Sequence, residues 1–239
     1  MAAFFRNPFN IGMAIAIALV AALTAFAVFK PVKVVPRIAD APDYTLVDAH
    51  GQPFTSTQAL GRISLYGFGY TSDPTGVLDT TLGMMQSAHE AARAAGYNIR
   101  LVLILFDTER DTPERLQAFA AERGLDPAVW VLLTGDAVTL KQTIGQGFGV
   151  YYESVPLSEI LTAPSVSDEV ALQDSYGFIQ AERYMLVDDH HILRAEYRPE
   201  TSMEIVVRDL NLIVREQNSK GVSRAVNEAA HLFLCYPSS

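Results

Sequence analysis

The chain has 239 residues, room for a membrane anchor plus one ordinary globular domain. Eighteen Lys and Arg against 27 Asp and Glu give a net charge of −9, with no long basic run. A surface of that sign repels phosphate backbones, which speaks against nucleic acid as a partner.

The N-terminus reads MAAFFRNPFNIGMAIAIALVAALTAFAVFK, and residues 11–29 carry no charge. At ~1.5 Å per residue a helix of that length nearly matches the ~30 Å hydrocarbon core of a bilayer. A small-x-small pattern at Ala25-Phe26-Ala27 lies inside the apolar run, which Val28 and Phe29 continue, so the segment reads as an uncleaved transmembrane helix over 11–29 behind a short segment 1–10. Arg6 precedes it and Lys30, Lys33 and Arg37 follow; charge alone would put the C-terminal side in the cytoplasm. Residues 30–43, KPVKVVPRIADAPD, hold three prolines without helical periodicity and read as an extended stalk.

From residue 44 to 239 the pattern is that of one α/β domain. YTLVDAHGQPFTS predicts a hairpin turning at Gly51, and ISLYGFGY (63–70) a core strand. Asp73-Pro74 suits a helix start, since an Asp carboxylate accepts an orphan N–H and Pro has none to waste. That helix carries Val77, Leu78, Leu82, Met85 and Ala88 at helical spacing and stops at Gly96. IRLVLILF (99–106) is continuously apolar, as a strand covered on both faces is. RDTPERLQAFAAERG gives a second helix, capped by Thr112, with Pro113 first and Gly124 last. VWVLLTG (129–135) is a strand, and DAVTLKQTIGQGFGV a short helix running into a glycine-rich loop. Residues 153–175 read as an irregular excursion, GFIQAERYMLVDDHHILRAEYR as a hairpin turning near Asp188–His191, and TSMEIVVRDLNLIVREQ as an amphipathic helix with Met203, Val206, Leu210 and Val214 on one face. Cys235, the single cysteine, sits among apolar neighbours and reads as a buried inert thiol; alone it closes no internal disulfide.

The blocks PDYTLVDAHGQPFT, ISLYGFGYTSDP, LVLILFDTERDTPERLQAFAAERG, WVLLTGD, FGVYY and YMLVDD, in that order, resemble the Sco/SenC family. FDTERDTPERL is the most specific, where the family reads much like D-P-x-R-D-T-P-E-x-L. The resemblance covers most of residues 43–200. It implies a membrane-tethered, thioredoxin-like (Sco-type) domain on the periplasmic side of the inner membrane, against the charge rule, and a role in building the copper site of cytochrome c oxidase. It also implies a ligand set of two cysteines in a C-x-x-x-C turn and one histidine. Tyr70, Thr71 and Pro74 match the family's turn, but the cysteine positions fall on Asp73 and Val77 and the histidine position on Gln180. An acid, a hydrocarbon and an amide suit Cu(I) poorly, and one thiol cannot run disulfide exchange.

No metal, cofactor or catalytic residue is therefore expected at these degenerate positions. Other donors are Asp79, His89, Asp188, Asp189, His190 and His191. Adjacent side chains on a strand diverge, and DDHH suits a polar turn, so a solvated turn is expected there; His89 reads as an exposed neighbour of core Met85. Asp107, Arg110 and Asp111 match the family block and read as strand-end and cap hydrogen bonding. Gly145-Gln146-Gly147-Phe148-Gly149 stands in a plain loop rather than a phosphate-binding one, and no nucleophile motif occurs. The expectation is a non-enzymatic, ligand-less Sco-like protein with no identified small-molecule substrate. It would act by protein binding as an assembly factor or scaffold for a respiratory oxidase. The alternatives are a permanent accessory subunit of a respiratory or photosynthetic membrane complex, and metal handling through a rebuilt carboxylate/histidine site.

Overall fold

A computed structural model describes residues 8–29, 33–161 and 175–233. The described residues form two compact units, one running from Arg37 to Asn211 and the other holding those before and after it.

The larger unit is built on three parallel strands, β4 (Ser64–Gly69), β5 (Arg100–Leu105) and β6 (Trp130–Thr134), linked by helices α2 (Val77–Ala94) and α3 (Pro113–Arg123). Antiparallel strands extend the sheet on both sides. The hairpin β2 (Thr45–Asp48) and β3 (Pro53–Thr55) joins at β6; β9 (Tyr184–Val187), β10 (Ile192–Tyr197) and the short β1 (Ala39–Asp40) join at β4. The order β1-β10-β9-β4-β5-β6-β2-β3 buries every residue of β4 and nearly all of β5, which explains their unbroken apolar runs. On one face Tyr66, Phe68, Val102, Ile104 and Leu133 pack with Leu140, Ile144 and Phe148. The Tyr44 and Tyr66 hydroxyls satisfy each other there at 3.0 Å, and burial pushes both phenols up. On the other face α2 lies close to β4: a Cβ on Gly69 would stand 2.7 Å from Leu78 Cδ1, and one on Gly67 would strike Met85.

The caps of α3 follow the sequence: the Thr112 hydroxyl accepts the Arg115 N–H, and Gly124 closes the helix at φ 62°. The start of α2 differs. Its first helical residue is Val77, and the N-cap is Gly76 at φ 81°, a conformation that glycine adopts without a Cβ clash, so Pro74 lies in the turn before the helix. The sheet already begins at 39–40, within the stretch read as a stalk, because β1 pairs with β10 and the Ile38 N–H reaches the Leu193 carbonyl. The helix α4 (Ala137–Leu140), capped by Asp136, continues as a π-helical turn over Lys141–Gly147.

Of the excursion read over 153–175, residues 162–174 lie outside the described residues, and the part before them is more ordered than its sequence suggests. Strand β7 (Tyr152–Pro156) leads into the short α5 (Leu157–Ile160) and pairs antiparallel with β8 (Tyr176–Gln180) as a separate two-stranded sheet. The predicted strand through 177–187 is thus two strands; β9 and β10 alone form the hairpin that turns at 188–191. Helix α6 (Met203–Gln217) buries Val206, Leu210 and Ile213, while Val214 is half-buried, which turns the apolar face by one position from that expected. A further helix, α7 (Gly221–Phe233), was not legible in GVSRAVNEAAHLF; within its unit His231 meets Glu216 of α6 at 2.9 Å.

The N-terminal helix α1 (Pro8–Phe29) is 22 residues long. Taken over the described residues, no helix is long and apolar enough to cross a membrane, so the span read over 11–29 rests on sequence. Cys235 lies outside the described residues.

Candidate functional site

The β4–α2 turn is held by Asp73. Its Oδ1 accepts the N–H of Thr75 at 2.8 Å and the Thr75 hydroxyl at 2.6 Å, and its Oδ2 accepts the N–H of Leu78 at 2.7 Å. Three bonds use most of a carboxylate's acceptor directions, so this side chain is committed to the turn and to one orphan donor of α2. Val77, the first residue of α2, offers hydrocarbon only. Gln180 ends β8, and its Oε1 is buried without a partner. Tyr70 draws turn and strand together: it sits at the end of β4, its hydroxyl accepts the Phe178 N–H at 3.3 Å, and the two rings meet edge-on at 5.0 Å.

A polar network stands beside this turn. Asp111, 1% exposed, accepts both the N–H and the hydroxyl of Thr71, at 3.1 and 2.6 Å. Burial raises its carboxyl above the usual range, the Thr71 bonds oppose that, and nearby Asp107 adds to the rise. Asp107, equally buried, pairs with Arg110 and accepts the Tyr176 hydroxyl at 2.8 Å. The Arg110 guanidinium lies 4.0 Å from the centre of the Tyr176 ring and donates to the Tyr176 carbonyl at 3.2 Å. Burial, then hydrogen bonding to Asp107, pushes the Tyr176 phenol up. The strand-end bonding expected of Asp107, Arg110 and Asp111 is present, and it does more than cap: it fastens β8 and the β4 turn to the loop after β5. Tyr176 was missed because nothing in its local sequence marks it.

The DDHH turn is not simply solvated. Asp188 is 3% exposed; its Oδ1 accepts the N–H groups of His190 and Ile192, each at 3.0 Å, and its Oδ2 accepts from buried Arg194 at 2.9 Å. The backbone of His191 turns through φ 67°. Asp188, Asp189 and His190 each place one donor atom within 4.8 Å of the others, the one such cluster among the described residues, but all three are engaged: Asp188 as above, and Asp189 and His190 with each other at 2.7 Å. His89, expected at the surface, is instead 7% exposed and its Nδ1 has no partner; α2 is turned so that His89 shares the buried side with Met85. Asp79 pairs at the surface with Arg123 at 2.6 Å.

Copper(I) is bound best by soft donors in an open arrangement. Position 73 holds a carboxylate already bonded three times, position 77 an isopropyl group, position 180 a neutral amide. These residues do not fit that ion.

A parallel β-α-β-α-β core flanked by antiparallel strands, with its turn at the end of the first parallel strand, defines a thioredoxin-like α/β protein. Residues 36–215 match the family model described as SCO1/SenC, and the chain belongs to that family. It is 32% identical over 113 residues to an SCO2-like protein of Rickettsia conorii, covering 47% of this chain and 53% of that one. It is 32% identical over 137 residues to a protein of Stutzerimonas stutzeri named for copper binding, covering 57% of this chain and 64% of the relative. The matches thus span less than two thirds of these relatives. Among solved structures it resembles a SCO1/SenC family lipoprotein from Bacillus anthracis (TM-score 0.60, 20% identity, 75% of this chain and 97% of that). Arabidopsis thaliana ScoI with copper bound is similar too (TM-score 0.59, 18% identity, 74% and 99%). At these identities the likeness establishes the fold.

Proposed function

We propose that this chain is a membrane-anchored, ligand-less member of its family that works without catalysis, by binding other proteins as an assembly factor or scaffold for a respiratory oxidase. The observation that carries the reading is the engagement of Asp73. Where the family pattern puts a metal-binding thiolate, this chain has a carboxylate spent on its own turn, so the turn keeps its shape with no ion to organise it. The Asp107–Arg110–Tyr176 contacts likewise hold β8 against the core by side chains alone. Anchoring is supported by α1, whose Ile15, Ile17, Leu19 and Val20 are 61–64% exposed, apolar surface that a bilayer would cover. The domain then stands on the periplasmic side of the inner membrane, as the family resemblance implies.

The test is a pull-down in mild detergent with the full chain, identifying what is retained. Capture of immature oxidase supports the assembly reading. Stoichiometric retention by a mature respiratory or photosynthetic complex supports a permanent subunit instead. A chain that comes down alone from membranes containing such complexes contradicts both.

A further inference from the structure

One cleft in the larger unit is untouched by the partner-binding reading. It lies between the C-terminal half of α2 and the segment joining α3 to β6, about 840 Å³ in volume, within the range of sites for small molecules, ~300–1,000 Å³. Residues three and four apart share a helix face, so Leu82, Gln86, His89 and Arg93 of α2 form one wall. The segment after α3 supplies Leu125, Asp126 and Trp130. His89 is 7% exposed, and its Nδ1 has no partner. Buried N–H groups are orphaned more rarely than buried acceptors, which puts the ring proton on Nε2 and leaves Nδ1 an acceptor in want of a donor. Its neighbours add acceptors within the same turn. Gln86 donates through Nε2 to Glu90 Oε1 at 2.8 Å, a bond that uses neither the Gln86 carbonyl oxygen nor the second oxygen of Glu90.

The charges of the cleft point the same way. Glu90 accepts from the Gln86 amide and Asp126 from the Ala128 N–H at 2.9 Å, neutral donors that leave both carboxylates charged. The guanidiniums beside them are spoken for: Arg123 pairs with Asp79 at 2.6 Å, and Arg93 stands in the last turn of α2, where it offsets the negative end of that helix. The negative end of α3 reaches the cleft as well, at Gly124. A ligand suited to this wall donates hydrogen bonds, carries positive charge and has an apolar part. We infer that the cleft binds a small organic amine in its ammonium form, which donates to His89 Nδ1 and Glu90 and lays its stem against Leu82, Leu125 and Trp130.

Trp130 is the sole tryptophan, so tryptophan emission reports on this cleft. The full chain in an uncharged detergent is titrated with 2-phenylethylamine, with the neutral 2-phenylethanol and with the anionic 3-phenylpropionate. The expected result is a saturable change in emission, the amine binding at least tenfold tighter than the alcohol and the carboxylate weakest. His89→Phe keeps a planar ring but removes the acceptor, and Glu90→Gln keeps the shape but removes the charge. Each should weaken the amine about tenfold, with circular dichroism melts confirming that both variants fold. The order of the three ligands on the wild type decides the sign of the site independently of either variant. Equal binding of amine and alcohol, tighter binding of the carboxylate, an emission change that never saturates, or full affinity in either folded variant overturns the assignment.

Discussion

Asp73 shows at single-residue scale how one carboxylate can hold a turn. Its carboxylate closes the turn through Thr75 and satisfies the Leu78 N–H. Asp73→Ala should therefore destabilise the domain by about 1 kcal/mol, the usual loss when a helix-capping carboxylate is removed; an unchanged denaturant midpoint would refute the structural role. Asp111 supplies a pH test. Burial raises its carboxyl, so the folded protein holds that proton more tightly than the unfolded chain does. Its contribution is full below the ordinary carboxylate value and is lost as pH rises through the raised one. Urea unfolding at a series of pH values should show wild type losing stability relative to Asp111→Asn as pH rises above the ordinary carboxylate range, about pH 4. A difference that stays flat, or moves the other way, would show that burial does not govern this group.

Among the elements, those with a strong local signal were legible and those defined by distant contacts were not. The parallel strands read correctly because β4 and β5 are buried on both faces, and α3 because Thr112, Pro113 and Gly124 mark its ends. The start of α2 misled because Asp-Pro is a good helix opening in isolation, whereas Asp73 here reaches five residues forward to Leu78. Strand β8 was joined to β9 because the apolar pattern runs on; its actual partner is β7, set by the ring cluster of Phe106, Tyr152 and Phe178, with Phe106 and Tyr152 stacked at 4.4 Å. The family resemblance alone points to positions 73, 77 and 180, but the clasp beside them joins residues 107 and 176, a separation no local pattern reveals. Tyr176→Phe removes the hydroxyl that Asp107 accepts, leaving a buried carboxylate oxygen short of a donor at a cost of roughly 1–3 kcal/mol. Hydrogen exchange should quicken at the amides of β7 and β8 while β4, β5 and β6 keep their protection. Uniform acceleration across the sheet would mean that the hairpin is not separately fastened.

For the whole molecule, the family fold persists around a turn whose donors are wrong for the ion. The three positions hold an engaged acid, a branched hydrocarbon and an amide, and Asp188, Asp189 and His190, the remaining cluster, are bound up in a turn and a buried ion pair with Arg194. The most direct test is a Cu(I) titration of the full chain against a competing chromophoric chelator, beside the triple variant Asp73→Cys, Val77→Cys, Gln180→His. The account expects the wild type to yield all its copper to the chelator and the triple variant to retain close to one ion per chain. Wild-type protein that keeps one copper, and loses it on Asp73→Ala or Gln180→Ala, would contradict it.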